Sequence, residues 1–303
     1  MSIPATRLCL LMLLTAGAGA HAQEIEPRLY SNIPVGMNFF IAAAAHAAGA
    51  LATDPTLPLE EGQLSTDGLV LGYARAIAVH GQSGKVDLVL PYMWLDGTAV
   101  YAGEPAQRRV TGFGDPRIRF SFNLHGAPAL GLADFATYRP GTIVGCSVQV
   151  SLPLGQYDDT RIVNLGTNRW WIKPELGVSR AIGRWTVELA GSATIYGDND
   201  DFRNDRVRAQ DPIYSVQGGV IYGFARGVWL AFHGNWYTGG QTTIDGVEGN
   251  DLQRNSLVGF TAALPINRKD SVKLYVSKGV STRIGSDVDT VSIAWQRRWG
   301  GGL

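Results

Sequence analysis

The chain has 303 residues with 26 basic and 26 acidic side chains, so it carries no net charge near neutrality. That balance argues against a nucleic-acid partner, which would call for a basic surface. Cys9 and Cys146 are the two cysteines, and only Cys146 lies beyond the N-terminal leader described next, which excludes an intramolecular disulfide framework and a thiolate metal cluster.

At the N-terminus, Arg7 is followed by an apolar run from Leu8 to Leu14 and then by small residues ending at Ala20-His21-Ala22. That layout predicts a cleaved secretory signal peptide over residues 1–22, leaving 23–303 as one exported domain. Beyond it no stretch reaches the roughly 18 apolar residues that a spanning helix needs. The nearest candidate, Ile41 to Ala52, is mostly alanine and is interrupted by His46 and Gly49.

Short alternating segments then recur to the end of the chain. Strands are expected at about 35–46, 64–79, 85–97, 112–125, 143–154, 169–181, 184–196, 212–225, 228–239, 253–264, 271–280 and 289–299. Their even count places both ends of the domain in one compartment. The connections alternate in length. Brief turns follow the second, sixth, eighth and tenth segments, at His80 to Gly84, Ile182-Gly183, Arg226-Gly227 and Pro265 to Asp270. Longer ones follow the first, third, fifth, seventh and ninth, among them Ala47 to Gln63, Tyr157 to Asn168, Gly197 to Asp211 and Gly240 to Leu252. Short periplasmic turns and long extracellular loops are the rhythm of an outer-membrane barrel. Two connections depart from it. His125 to Thr142 is long where a short turn is due, with a small helix expected over Ala129 to Thr137, and the last hairpin near Ser281 to Asp287 is short.

The faces agree with a barrel. Ile118, Phe120, Phe122 and Leu124 alternate with Arg117, Arg119, Ser121, Asn123 and His125, and Val291, Ile293, Trp295 and Trp299 alternate with Thr290, Ser292, Ala294, Gln296 and Arg298. In the dry core of a sandwich the charged face would be costly, whereas the interior of a barrel is wet. Aromatic residues gather near strand ends. Tyr92, Trp94, Trp170, Tyr214, Trp236 and Tyr237 are expected at the outer interface, and Trp185, Phe224, Trp229, Trp295 and Trp299 at the inner one.

Catalytic patterns are scarce. There is no H-E-x-x-H, G-x-S-x-G or phosphate loop, and Gly112-Phe113-Gly114-Asp115-Pro116 lacks the third glycine and the helix of a dinucleotide site. His80, His125 and His233 each have a hydroxyl residue nearby in sequence, so a lipid-acting hydrolase stands as an alternative. The acidic loops at Asp158-Asp159 and Asp198 to Asp201 match no calcium loop, and no metal or cofactor is expected. Parity turns Asp87, Arg117, Arg119, Lys173, Glu175, Glu188, Lys273 and Arg298 inward. Pairing between neighbouring strands and a charged constriction that selects solutes are both open readings of that set. Twelve strands fall between the filled eight-stranded barrel and the sixteen-stranded porin, so a narrow or gated lumen is expected.

Several motifs resemble the family of the MetA-pathway of phenol degradation. They are Gly112-Phe113-Gly114-Asp115-Pro116, Gly126 to Leu130, Leu165-Gly166-Thr167-Asn168-Arg169-Trp170, Lys173-Pro174-Glu175-Leu176-Gly177, Gln210 to Ser215, Tyr237 to Thr243, and Ala294 to Trp299. The resemblance implies an outer-membrane barrel transporter of a Gram-negative bacterium, passing small solutes, aromatic or other apolar compounds among them. Lipid, lipopolysaccharide and the barrel assembly machinery are the partners it implies, and it brings no catalytic residue. A structural barrel with a plugged lumen is the remaining alternative.

Overall fold

The computed structural model describes residues 26–52 and 59–303, so the expected signal peptide lies outside the described residues. The strands are β1 (Met37–Ala52), β2 (Leu59–Val79), β3 (Gln82–Tyr101), β4 (Glu104–Phe113), β5 (Arg117–His125), β6 (Thr142–Ser151), β7 (Trp171–Ile182), β8 (Trp185–Tyr196), β9 (Asn199–Phe202), β10 (Arg206–Gln210), β11 (Ile213–Gly223), β12 (Trp229–Gly239), β13 (Thr242–Ile244), β14 (Val247–Glu248), β15 (Gln253–Pro265), β16 (Asp270–Ser281) and β17 (Gly285–Gly300). Their order in the main sheet is β2-β1-β17-β16-β15-β12-β11-β8-β7-β6-β5-β3-β4, and β2 also pairs with β3, which closes it. Because β4 and β5 share one edge of β3 end to end, the barrel has twelve staves, all antiparallel. The first and last strands meet over their full length, from Met37 opposite Gly300 to Ala52 opposite Gly285. Alanine is a poor strand former, yet β1 is held as a strand by neighbours on both sides, the tertiary pairing overriding propensity.

Exposure alternates along most staves. On β17 Val291, Ile293, Trp295 and Trp299 are exposed while Ser292, Ala294 and Gln296 turn inward, and β7 exposes Ile172, Leu176 and Val178 but buries Lys173, Glu175 and Ser179. An apolar exterior around a polar interior, with no free edge, is the form in which strands cross a bilayer.

β2 and β3 run to 21 and 20 residues, about twice what a tilted strand needs to span hydrocarbon. The expected long loop after β3 is therefore corrected. Ala102 and Gly103, both with positive φ, turn the chain, and β4 returns along β3 from Glu104 opposite Tyr101 to Phe113 opposite Tyr92. Above the bilayer both faces of this ribbon are wet, so alternation vanishes although the backbone still pairs. The chain kinks at Gly114-Asp115-Pro116 before β5 resumes the wall. The long connection after β5 does carry a short helix, α1 (Leu132–Phe135), and closes part of the periplasmic mouth, Ser83 and Ala129 donating their amides to Ala127 O and Gly81 O at 2.8 and 2.9 Å.

Candidate functional site in the lumen

The residues preceding β1 enter the barrel. At the periplasmic rim the Val35 amide bonds Leu130 O and Asn32 Nδ2 bonds Pro128 O, at 2.9 and 3.1 Å. Further in, Leu29 and Tyr30 pack with Ala127 and Ile143. Tyr30 Oη donates to Glu175 Oε1 at 3.0 Å, reaching β7, and lies 3.5 Å from Ser147 Oγ on β6. The Arg28 amide donates to Glu188 Oε2 on β8 at 2.9 Å, and its guanidinium lies 5.5 Å from the Trp229 ring on β12. Glu26 pairs with Arg119 on β5 and lies 3.8 Å from Lys85 on β3. A segment that touches the inner face of six staves crosses the lumen. The gaps flanking Leu29 measure about 20 Å³ each, room for roughly one water.

Most of the wall charges expected from parity gather around this segment. Asp87 stands in register with Arg119, then Gln149, then Lys173, and Glu175 lies one pair further toward the periplasm. Asp87 pairs with Lys85 at 3.4 Å and Lys173 with Glu175 at 3.9 Å, while Lys273 lies 5.9 Å from the Trp229 ring. Arg117 and Glu188 also face inward. On this wall Lys85, Arg117, Arg119, Lys173 and Lys273 outnumber Asp87, Glu175 and Glu188, so an acidic side chain from the segment is attracted. Removal from water would raise the Glu26 carboxyl, but the charges of Arg119, Lys85 and Lys273 outweigh it and bring it down to about 2. Arg298 stands apart: its Nε bonds Arg268 O at 2.8 Å and secures the turn before β16.

Sequence reasoning missed Glu26, Arg28, Tyr30 and Lys85. One signal was available. Gly145 and Gly177 are paired across β6 and β7 on the inward face, and a Cβ on either would run into the Tyr30 ring. Glycines aligned on a wet face mark the approach of another chain segment. The six tryptophans Trp94, Trp170, Trp185, Trp236, Trp295 and Trp299 face outward, with edge contacts to neighbours such as Tyr92 and Tyr222. Trp229 and Tyr237 contradict the girdle expectation. Both share the parity of His233 and Asn235 and are buried inside, Trp229 under Arg28 and Tyr237 accepting from Asn255 Nδ2 at 2.8 Å. His233 lies over Gly219, and its unpartnered Nε2 sits 3.9 Å from Glu188 Oε2.

The extracellular end is covered by the loops. Asp115 at the kink accepts from the Gly155 amide, the Thr167 amide and Thr167 Oγ1 at 2.9, 2.8 and 2.7 Å, tying down the connection 152–170. Leu165 from that connection is buried on Met93, Leu95 and Val110. A second sheet, β14-β13-β10-β9, adds to this cover, with Asp251 accepting from the Thr242 amide and hydroxyl at 2.8 and 2.7 Å.

The model of the family described as "Putative MetA-pathway of phenol degradation" matches residues 50–292. No protein with curated annotation matches the chain. Among solved structures it is similar to the COG4313 outer membrane channel from Pseudomonas putida F1, with a TM-score of 0.78 and 22% identity over 91% of this chain and 100% of that one. The transport unit of the autotransporter AIDA-I from Escherichia coli follows, with a TM-score of 0.53 and 8% identity over 86% of this chain and 89% of that one. At these identities both show the fold.

Proposed function

As a chain that belongs to the family of the MetA-pathway of phenol degradation, we propose, it is an outer-membrane channel for small solutes whose lumen is closed by its own N-terminal segment. The observation that carries this reading is the crossing of the lumen by Glu26 to Tyr30, held by single side-chain contacts to separate staves. Such contacts break one at a time, so the segment can leave while the barrel stays whole. The wall beneath it is polar and mainly cationic, and charged rings of this kind set the selectivity of a pore. Asp87, Arg117, Arg119, Lys173, Glu175, Glu188 and Lys273 are then the selecting set once the segment has moved, and Arg298 belongs to the periplasmic rim. The aromatic or apolar solute class follows from the family alone. Trp94, Trp170 and Trp236 on the outer side, and Trp185, Trp295 and Trp299 on the inner, anchor the barrel at the headgroups. Export through a signal peptide of residues 1–22 and lipopolysaccharide contacts at the outer rim complete the reading.

The test is solute flux into liposomes carrying the pure full-length protein. Arg119→Glu repels Glu26 and is expected to raise the flux of a small neutral solute above that of the native chain, with the barrel still shifted on an unboiled gel. Equal, background-level flux from both proteins refutes the channel.

A further inference from the structure

Two arginines beneath the extracellular cover have no acid in direct contact. Arg169 ends the 152–170 connection and is 5% exposed, while the half-buried Arg208 projects from the face of β10 that also bears Gln210. Arg169 Nη2 donates to Gln210 Oε1, which sets the two guanidinium groups on one side of the cover sheet. Each lies on an aromatic ring, Arg169 at 4.5 Å from Tyr196 and Arg208 at 5.3 Å from Phe202. Among the described residues neither forms an ion pair. The buried Nε and Nη1 of Arg169 and Nε of Arg208 meet no hydrogen-bond acceptor there either.

Buried charge is normally paired, because an unpaired ion in a dry site costs several kcal/mol or more. Burial, and then the neighbouring charge of Arg169, lower Arg208 to about 9, which leaves its guanidinium charged at neutrality. The atoms without partners are donors on planar forks, the geometry that binds a two-oxygen anion side-on. Three acids act on the pair: Asp115 and Asp251 are already engaged with loop amides and hydroxyls, and Asp198 is exposed to solvent and forms no ion pair with Arg169.

We propose that Arg169 and Arg208 form an oxyanion-binding station at the extracellular entrance, which takes the carboxylate of a small organic acid. The inference rests on the channel reading and names a solute class for it. Flanking rings suit a carboxylate with an apolar body, and an anion held here stands above the cationic wall of the lumen. A phosphate group, free or on lipopolysaccharide, is the competing oxyanion, and the test separates the two.

Benzoate and inorganic phosphate are titrated into the pure full-length protein in detergent, with liposome flux of a neutral solute measured in parallel. Benzoate is expected to bind more tightly than phosphate, and Arg208→Gln to weaken it at least about tenfold. If Arg208→Gln fails to fold, Arg208→Lys serves instead: it keeps the charge but loses the fork, and is expected to bind several-fold more weakly. The station is overturned by equal benzoate affinity in native and variant proteins, by no benzoate binding up to about 10 mM, or by phosphate binding the tighter of the two. Any of these alongside intact flux leaves the channel standing, whereas benzoate binding without flux of any solute refutes the channel and spares the station.

Discussion

The barrel is closed twice, and the two closures are built differently. On the extracellular side, Asp115, Asn164 and Asp251 bond backbone groups of the loops, and a four-stranded sheet adds a ladder of its own. On the periplasmic side, an irregular segment reaches across the lumen on a few separate contacts, through the Glu26 and Tyr30 side chains and the Arg28 amide to the side chain of Glu188. Backbone bonds within a cover give way together, whereas scattered side-chain contacts give way singly. The cover is thus a frame and the N-terminal segment the part free to move. Local openings of low free energy are drawn from such sparsely held segments.

The largest blow to that contrast would come from Asp115→Ala, which removes three hydrogen bonds to a carboxylate at once and is expected to cost the cover about 3 kcal/mol. Trypsin should then cut the 152–170 connection at exposed Arg161 on the order of a hundredfold faster, with the bond after Arg28 still protected. Equal cutting rates would mean that the cover is no frame. A smaller effect is expected from Gly177→Val, whose side chain collides with the Tyr30 ring. Overpacking of this kind costs about 1–3 kcal/mol. Hydrogen exchange should speed up in residues 26–34 and stay unchanged in β9 and β10.

Least in size is the dependence on pH. Glu26 titrates at about 2 when docked and at 4.5 when free, so docking is favoured by its charge above pH 4.5. That contribution fades as pH falls from 4.5 toward about 2, where the docked carboxyl also takes up a proton. Channel opening should rise over that interval in the native chain and change less in Glu26→Gln. A matching rise in Glu26→Gln would assign it to other groups.

What could be read from the sequence followed the solvent. Where lipid lies on one side and water on the other, as at Ile172 to Ser179 or Val291 to Trp299, residues alternate and the strands are legible. Water on both sides erased that signal at Glu104 to Arg109, so a paired ribbon read as a loop. The N-terminal segment has no period of its own, and its partners lie as far along the chain as Glu188 and Trp229. Trp229 was misplaced by counting distance from a strand end instead of parity along it. The inward charges were legible one by one, but the surplus of cations that draws Glu26 needs the strands set side by side. Arg169 and Arg208 were hidden for a related reason, since loops carry no pattern that marks a side chain as buried.

Single-channel conductance in planar bilayers, comparing the native chain with one lacking residues 26–34, tests the central claim most directly. A several-fold larger and steadier conductance from the shortened chain is the predicted result. Equal conductance from the two, with both barrels folded, would contradict the account.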